Sequence, residues 1–210
     1  EKPVDLLSDR SEDCISAATS AGVPFMTAFN RRFDPNFAEV QRRIADGELG
    51  RVEIVTILSR DPSPPPVSYI ESSGGIFRDM MIHDIDMARF LLGAEPVSVY
   101  AVGSSLGDPE IGAAGDADTA AVVLTTSSGQ ICQLSNSRRA AYGYDQRIEV
   151  HGEKGMLRAD NVHASTVEAA TENGFARSPV MHFFLERYGA AYALEMAHFV
   201  AALRAGVSPT

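Results

Sequence analysis

Apolar positions change their period several times along this chain, and each change marks an element. Ser8-Asp9-Arg10-Ser11-Glu12 are polar residues suited to open a helix that runs to Gly22. Val23-Pro24-Phe25-Met26-Thr27-Ala28 then reads as a short buried strand. Asp34-Pro35 is an N-cap and first-turn pair for a second helix, with Phe37, Val40 and Ile44 on one face and Gly47 closing it. Residues 51–59 read as a strand. The run Asp61-Pro62-Ser63-Pro64-Pro65-Pro66 lacks the amide donors that a helix or inner strand needs, so it predicts a stiff surface loop able to wall a pocket.

Gly74-Gly75 precedes a helix that carries Met80, His83, Met87 and Leu91 and ends at Gly93. Strand signals follow over 96–104, 118–126, 130–139 and 146–151. Hairpin-sized connections at Ser127-Ser128-Gly129 and Gly152-Glu153-Lys154-Gly155 favour antiparallel neighbours. Residues 107–115, rich in Gly and Asp, predict a flexible loop. Phe183, Phe184, Tyr188, Tyr192, Met196, Phe199, Val200 and Leu203 keep helical spacing up to Gly206. Helix, strand, helix and then a run of strands define an α+β class, with helices packed on one face of the sheet. No internal repeat interrupts it.

Composition narrows the partners. At 210 residues and 45% apolar content the chain suits one well-buried domain, or a domain with part of another. A net charge of -10, from 28 acidic and 18 basic side chains, works against binding to nucleic acid or to anionic membranes. No apolar run approaches the roughly 18 residues that span a bilayer. Cys14 and Cys132 have no metal-like spacing and read as reduced thiols of a cytoplasmic protein, with a single disulfide as the alternative.

The densest polar cluster on an otherwise apolar helix lies between Gly74 and Arg89. Asp79 and His83 stand four residues apart, on one helical face, where a carboxylate would support an imidazole and raise its basicity for proton abstraction near neutral pH. Two other readings fit the same spacing. Asp79 could cap the helix while His83 packs as a hydrogen-bonded core residue. Asp79, His83 and Asp86, at i, i+4 and i+7, could also present three metal ligands, although no second His or Cys cluster supports a metal. Lys2, between an acid and a proline, sits at a junction of the kind where active-site groups of α/β folds gather, although a lone lysine there is more often simply solvated.

Glu1-Lys2-Pro3 and the segment Gly74-Gly75-Ile76-Phe77-Arg78-Asp79-Met80-Met81-Ile82-His83-Asp84-Ile85-Asp86 together resemble the Gfo/Idh/MocA oxidoreductases, in the branch that acts on inositols. Asn30-Arg31-Arg32-Phe33-Asp34, Ser59-Arg60-Asp61-Pro62, Tyr144-Asp145-Gln146-Arg147, Gly152-Glu153-Lys154-Gly155-Met156-Leu157 and residues 184–196 agree with it, so the resemblance covers nearly the whole chain. It implies residues 1–29 as the last helix and strand of an NAD-binding Rossmann domain. Residues 30–210 would then be a substrate-binding and oligomerisation domain with an open, mainly antiparallel sheet.

The resemblance also implies chemistry: NAD-dependent oxidation of a secondary hydroxyl of a cyclitol or sugar, foremost myo-inositol to 2-keto-myo-inositol. Lys2 resembles the catalytic lysine that hydrogen-bonds the reacting hydroxyl, His83 the proton acceptor, and Asp79 its partner. Glu1, Lys2 and Asn30 are expected beside the cofactor. Tyr142, Arg31, Asp61 and Tyr188 are candidate polyol contacts, each equally readable as an ordinary surface or core polar residue. Alternatives within the resemblance are another sugar dehydrogenase, an NAD-dependent glycosidase, or a non-catalytic sugar- or NAD-binding regulator. A homo-oligomer formed through the sheet face is expected.

The glycine-rich G-x-G-x-x-G turn that cradles a dinucleotide pyrophosphate occurs nowhere in the chain. The expectation is therefore a fragment, truncated at both ends, that binds NAD poorly by itself. NAD against NADP stays open, because the residue that reads the ribose would lie upstream.

Overall fold

The computed structural model describes residues 2–209. Helix α1 (Ser8–Ala21) ends on Gly22 in the left-handed conformation and buries none of its residues. Residues 23–28, expected as a strand, are extended chain without a ladder partner. A strand needs a neighbour to exchange hydrogen bonds with, and among the described residues none lies beside this segment.

A short 3-10 turn (Asn30–Phe33) leads into α2 (Pro35–Ala45), whose first turn is capped by the Asp34 carboxylate accepting from the amides of Asn36 and Phe37. Strand β1 (Val52–Arg60) follows, then α3 (Val67–Ser73), a π-helical turn (Ile76–Met80) and α4 (Ile82–Leu92). The single helix expected after Gly74-Gly75 is thus divided, and α3 ahead of it went unforeseen. The Met81 amide donates to the Ile76 carbonyl, an i→i+5 bond that widens the turn.

Strands β2 (Pro96–Ser104), β3 (Thr119–Thr126), β4 (Ile131–Ser137), β5 (Asp145–Gly152) and β6 (Gly155–Ala159) complete one sheet with β1, in the order β2-β3-β4-β1-β5-β6. β1 runs parallel to β4, and every other pairing is antiparallel. The expected α+β class and mainly antiparallel sheet are both observed.

Between β2 and β3, residues 107–115 are ordered where a flexible loop was expected. Asp108 caps the short α5 (Pro109–Ala113), Ile111 is fully buried, and the Asp118 carboxylate accepts from the amides of Leu106, Gly107 and Asp108. Buried side-chain acceptors replace the backbone ladder that this stretch lacks. A small hairpin, β7 (Glu168–Thr171) with β8 (Gly174–Arg177), was also unforeseen, and all its residues are exposed. The C-terminal helical pattern is broken at Tyr188 into α6 (Phe184–Arg187) and α7 (Gly189–Ala205).

Alternation along the strands selects the core face. Val55 and Ile57 of β1, Cys132 and Leu134 of β4, and Ile148 and Val150 of β5 all point inward, where Phe37 and Val40 of α2 and Met87 and Leu91 of α4 cover them. Each buried aliphatic of this kind contributes on the order of 2 kcal/mol. On the opposite face Tyr100 pairs with Val123 across β2 and β3, and both are exposed, as are Ile131 and Met156.

Candidate active site

The inward rows of β1, β4 and β5 turn polar at one end of the sheet, and this builds the site. Ser59 pairs with Asn136 on one side and Gln146 on the other, so three polar side chains stand abreast on the core face. Asp84 of α4 closes this floor: its carboxylate accepts from the Ser59 hydroxyl at 2.6 Å, the Asn136 amide at 2.6 Å and the Arg31 guanidinium at 2.5 Å. All four are buried, and the Asp84 carboxylate accepts one donor from each of the other three, while Asn136 Oδ1 has no partner among the described residues.

Two residues further along each strand the same inward row reaches Asp61, Arg138 and Tyr144, which line a cleft of about 880 Å³. The Asp61 amide donates to the Ser137 carbonyl, carrying the parallel pairing of β1 and β4 to the lip of this cleft. Ligands of α/β sheets gather at the carboxyl ends of parallel strands, and the one parallel pair of this sheet ends here. The proline-rich run supplies Ser63, Pro64, Pro65 and Pro66 to the wall, as its composition predicted.

Lys2, Asp79 and His83 face one another across this cleft together with Arg31, Asp61, Asn30 and Tyr188. Arg31 and Tyr188 are buried and deep, and the Tyr188 ring is crossed edge-on by Tyr144 at 6.0 Å. Tyr142 does not line the cleft. Its hydroxyl donates to Asp145 at 2.5 Å on the outer side of the β5 start, and just over half of the residue is exposed. Glu1 lies outside the described residues.

The expected Asp79–His83 couple does not form. Oδ1 of Asp79 accepts from Lys2 Nζ at 3.1 Å and from the Tyr69 hydroxyl at 2.9 Å, while Oδ2 takes two long contacts from Arg138, at 3.4 and 3.5 Å. Lys2 Nζ also donates to the Asp79 carbonyl. The π turn is the physical reason: its wider winding offsets Asp79 from the row it would share with His83 in a regular α-helix.

His83 Nδ1 is buried with no hydrogen-bond partner among the described residues. Burial, followed by the positive charges of Arg31 and Lys2, pushes the imidazole well below its ordinary pKa. The expected rise in basicity is thereby reversed, because burial disfavours the charged ring and the charges that act on it are cations. The three-ligand metal arrangement does not assemble either, since Asp86 is turned to Arg32 at 2.5 and 2.8 Å.

Asp61 is shifted the other way. Burial raises its carboxyl to about 6, against the opposing pull of Arg31 and Arg138. Sequence reasoning missed Arg138, Tyr69 and Tyr144. For Arg138 a signal existed: Cys132, Leu134, Asn136 and Arg138 are the alternate positions that face inward, and a polar end to a buried row marks a site.

Fold and cleft define an α+β domain whose parallel strand pair ends in a cleft lined by charged, aromatic and proline side chains. Residues 37–158 match the GFO/IDH/MocA C-terminal domain, and the chain belongs to that family. It is 55% identical over 206 residues to the inositol 2-dehydrogenase of Rhizobium meliloti, covering 98% of this chain and 62% of that protein. It is 48% identical to the myo-inositol 2-dehydrogenase of Thermotoga maritima, covering 100% of this chain and 63% of that protein.

Among solved structures it superposes on the scyllo-inositol dehydrogenase of Lactobacillus casei with bound NAD(H) and scyllo-inositol. The TM-score is 0.83 at 30% identity, over 95% of this chain and 60% of that one. The chain therefore spans a little over three fifths of the length of the curated relatives it matches.

Proposed function

We propose that the full-length protein is an NAD-dependent inositol 2-dehydrogenase that oxidises myo-inositol to 2-keto-myo-inositol. The observation that carries this reading is the convergence of Lys2, paired with Asp79, and a neutral His83 on one cleft. Support comes from the relatives, which bear inositol dehydrogenase names at up to 55% identity.

NAD is the proposed cofactor, on the strength of the NAD(H)-bound Lactobacillus casei relative. Lys2, Ala28 and Asn30 border the cleft from the N-terminal segment, so they fit the nicotinamide end of a dinucleotide. Residues 1–29 are accordingly read as the tail of the NAD-binding domain and 30–210 as the substrate and assembly domain. When bound, the nicotinamide supplies the hydride acceptor.

The chain's own groups handle the proton and the fit. His83, neutral and facing the cleft, takes the hydroxyl proton, while the Lys2 ammonium hydrogen-bonds the same oxygen and stabilises charge as the carbonyl forms. Asp79 holds Lys2 in place. Asp61 accepts from a second hydroxyl of the ring and Arg31 donates from the cleft floor, so that one carbon of the polyol faces the cofactor. Tyr188 packs beneath that ring.

The exposed sheet face around Tyr100 and Val123 is the proposed homo-oligomer contact. The free thiols of Cys14 and Cys132 fit a cytoplasmic setting. The test of the activity is NAD reduction by the purified full-length protein over a panel of inositols, hexoses and linear polyols. Highest turnover with myo-inositol is expected, and turnover with none of them would sink the reading.

A further inference from the structure

Arg138 is fully buried at the end of the inward row of β4 and lines the cleft, and among the described residues its guanidinium makes only long contacts. Its NH1 and NH2 reach Asp79 Oδ2 at 3.4 and 3.5 Å, and NH2 also lies 3.8 Å from Asp116 Oδ2. Asp116 in turn accepts from the Ile76 amide through both carboxylate oxygens at 3.0 Å. Ile76 opens the π turn and Asp79 belongs to it, so one guanidinium lies between the carboxylate that accepts the turn's first amide and the carboxylate that the turn itself carries.

Gly75 makes this possible. It sits at φ +76, and a Cβ there would stand 2.5 Å from the Asp116 carboxylate.

We propose that Arg138 is the positioning residue of this site, fixing the π turn so that Asp79 is presented to Lys2 rather than to His83. A planar guanidinium suits the task because it can face two carboxylates at once in a set geometry, which a lysine cannot. The proposal deepens the function given above and rests on Lys2 being the group that Asp79 serves.

The test uses the full-length protein with Arg138→Met and Arg138→Lys, and with Asp116→Asn as a second variant that severs the same link from the surface side. The first readout needs no turnover: the rate at which acetic anhydride acylates Lys2, followed by mass spectrometry of its peptide. A pinned, shielded ammonium reacts slowly, so Arg138→Met and Asp116→Asn are expected to speed acylation about threefold or more, with partial return in Arg138→Lys.

The second readout is kinetic. Loss of alignment alone predicts that kcat falls by about tenfold to a hundredfold while KM stays within about twofold. Unchanged Lys2 acylation in folded Arg138→Met would overturn the proposal, as would unchanged acylation in Asp116→Asn if Arg138→Met fails to fold. A wild-type protein that turns over no polyol would refute the proposed activity, while the acylation rates would still decide the role of Arg138.

Discussion

Nζ of Lys2 lies 3.1 Å from Oδ1 of Asp79, across 77 residues of chain. The pair joins the N-terminal segment to the π turn, with both side chains mostly shielded from water. An ion pair shielded in this way is worth more to orientation than an exposed one, and losing either partner leaves the other poorly satisfied. Asp79 is therefore engaged with the lysine, and no hydrogen bond joins it to His83 among the described residues.

Substitution of either partner should separate the two kinetic constants. Asp79→Asn keeps the shape but weakens the hold on Lys2, and Lys2→Met removes the ammonium altogether. In the full-length enzyme kcat is expected to fall by about a hundredfold in each, with KM for myo-inositol changed far less. Steady-state kinetics check this; equal rises in KM with unchanged kcat would show a binding role only.

His83 should remain neutral at mildly acidic pH. Its folded-state pKa is depressed, so the unfolded chain takes up a proton first as pH falls below the ordinary histidine range, and the fold loses stability in that direction. Carbon-13 shifts of labelled imidazoles, followed from pH 7.5 to about 5.5, check the assignment by comparison with His83→Gln. A His83 signal that titrates near the ordinary value would contradict it.

Asp61 gives the opposite sign. Its carboxyl is raised to about 6 by burial, above the ordinary 3.8 that the unfolded chain retains. The folded form thus holds the proton longer, and stability is lost as pH rises from about 4 through 6, by on the order of 2–3 kcal/mol in full. Asp61→Asn removes this loss. Denaturant melts should find the variant gaining on the wild type as pH rises from 4 to 7, with the larger advantage at neutral pH.

The exposed sheet face should govern self-association. Tyr100→Glu combined with Val123→Glu places charge opposite charge on adjacent strands of the open face, where the wild type presents an apolar pair. Light scattering on the full-length protein is expected to show a smaller species in the double variant, whose thermal unfolding is also lowered modestly by the opposed carboxylates.

Much of this architecture was legible in the sequence because period-two alternation and glycine or proline punctuation are local signals. All four strands read over 96–104, 118–126, 130–139 and 146–151 are present, and Asp34-Pro35 caps α2 as expected. The π turn was not legible. Its first amide donates to Asp116, 40 residues away, and helical spacing alone cannot register such a contact.

Residues 23–28 carry a strand signal but no ladder among the described residues, since a strand is defined by a neighbour and the expected neighbours belong to the Rossmann domain that the resemblance implies. Within the site, cleft residues Lys2, Asp79, His83, Arg31, Asp61, Asn30 and Tyr188 were named from motifs, whereas Tyr142 was drawn away by Asp145. The partner of Asp79 was misread because a four-residue spacing says where two side chains could meet, not which stronger competitor arrives from elsewhere.

Deuterium transfer tests the central claim most directly. Full-length protein is incubated with NAD and myo-inositol labelled with deuterium at C2, and the reduced cofactor is analysed by mass spectrometry. The account predicts deuterated NADH, formed by the wild type and lost in His83→Ala. Unlabelled NADH, or none at all from folded wild-type enzyme, would contradict it.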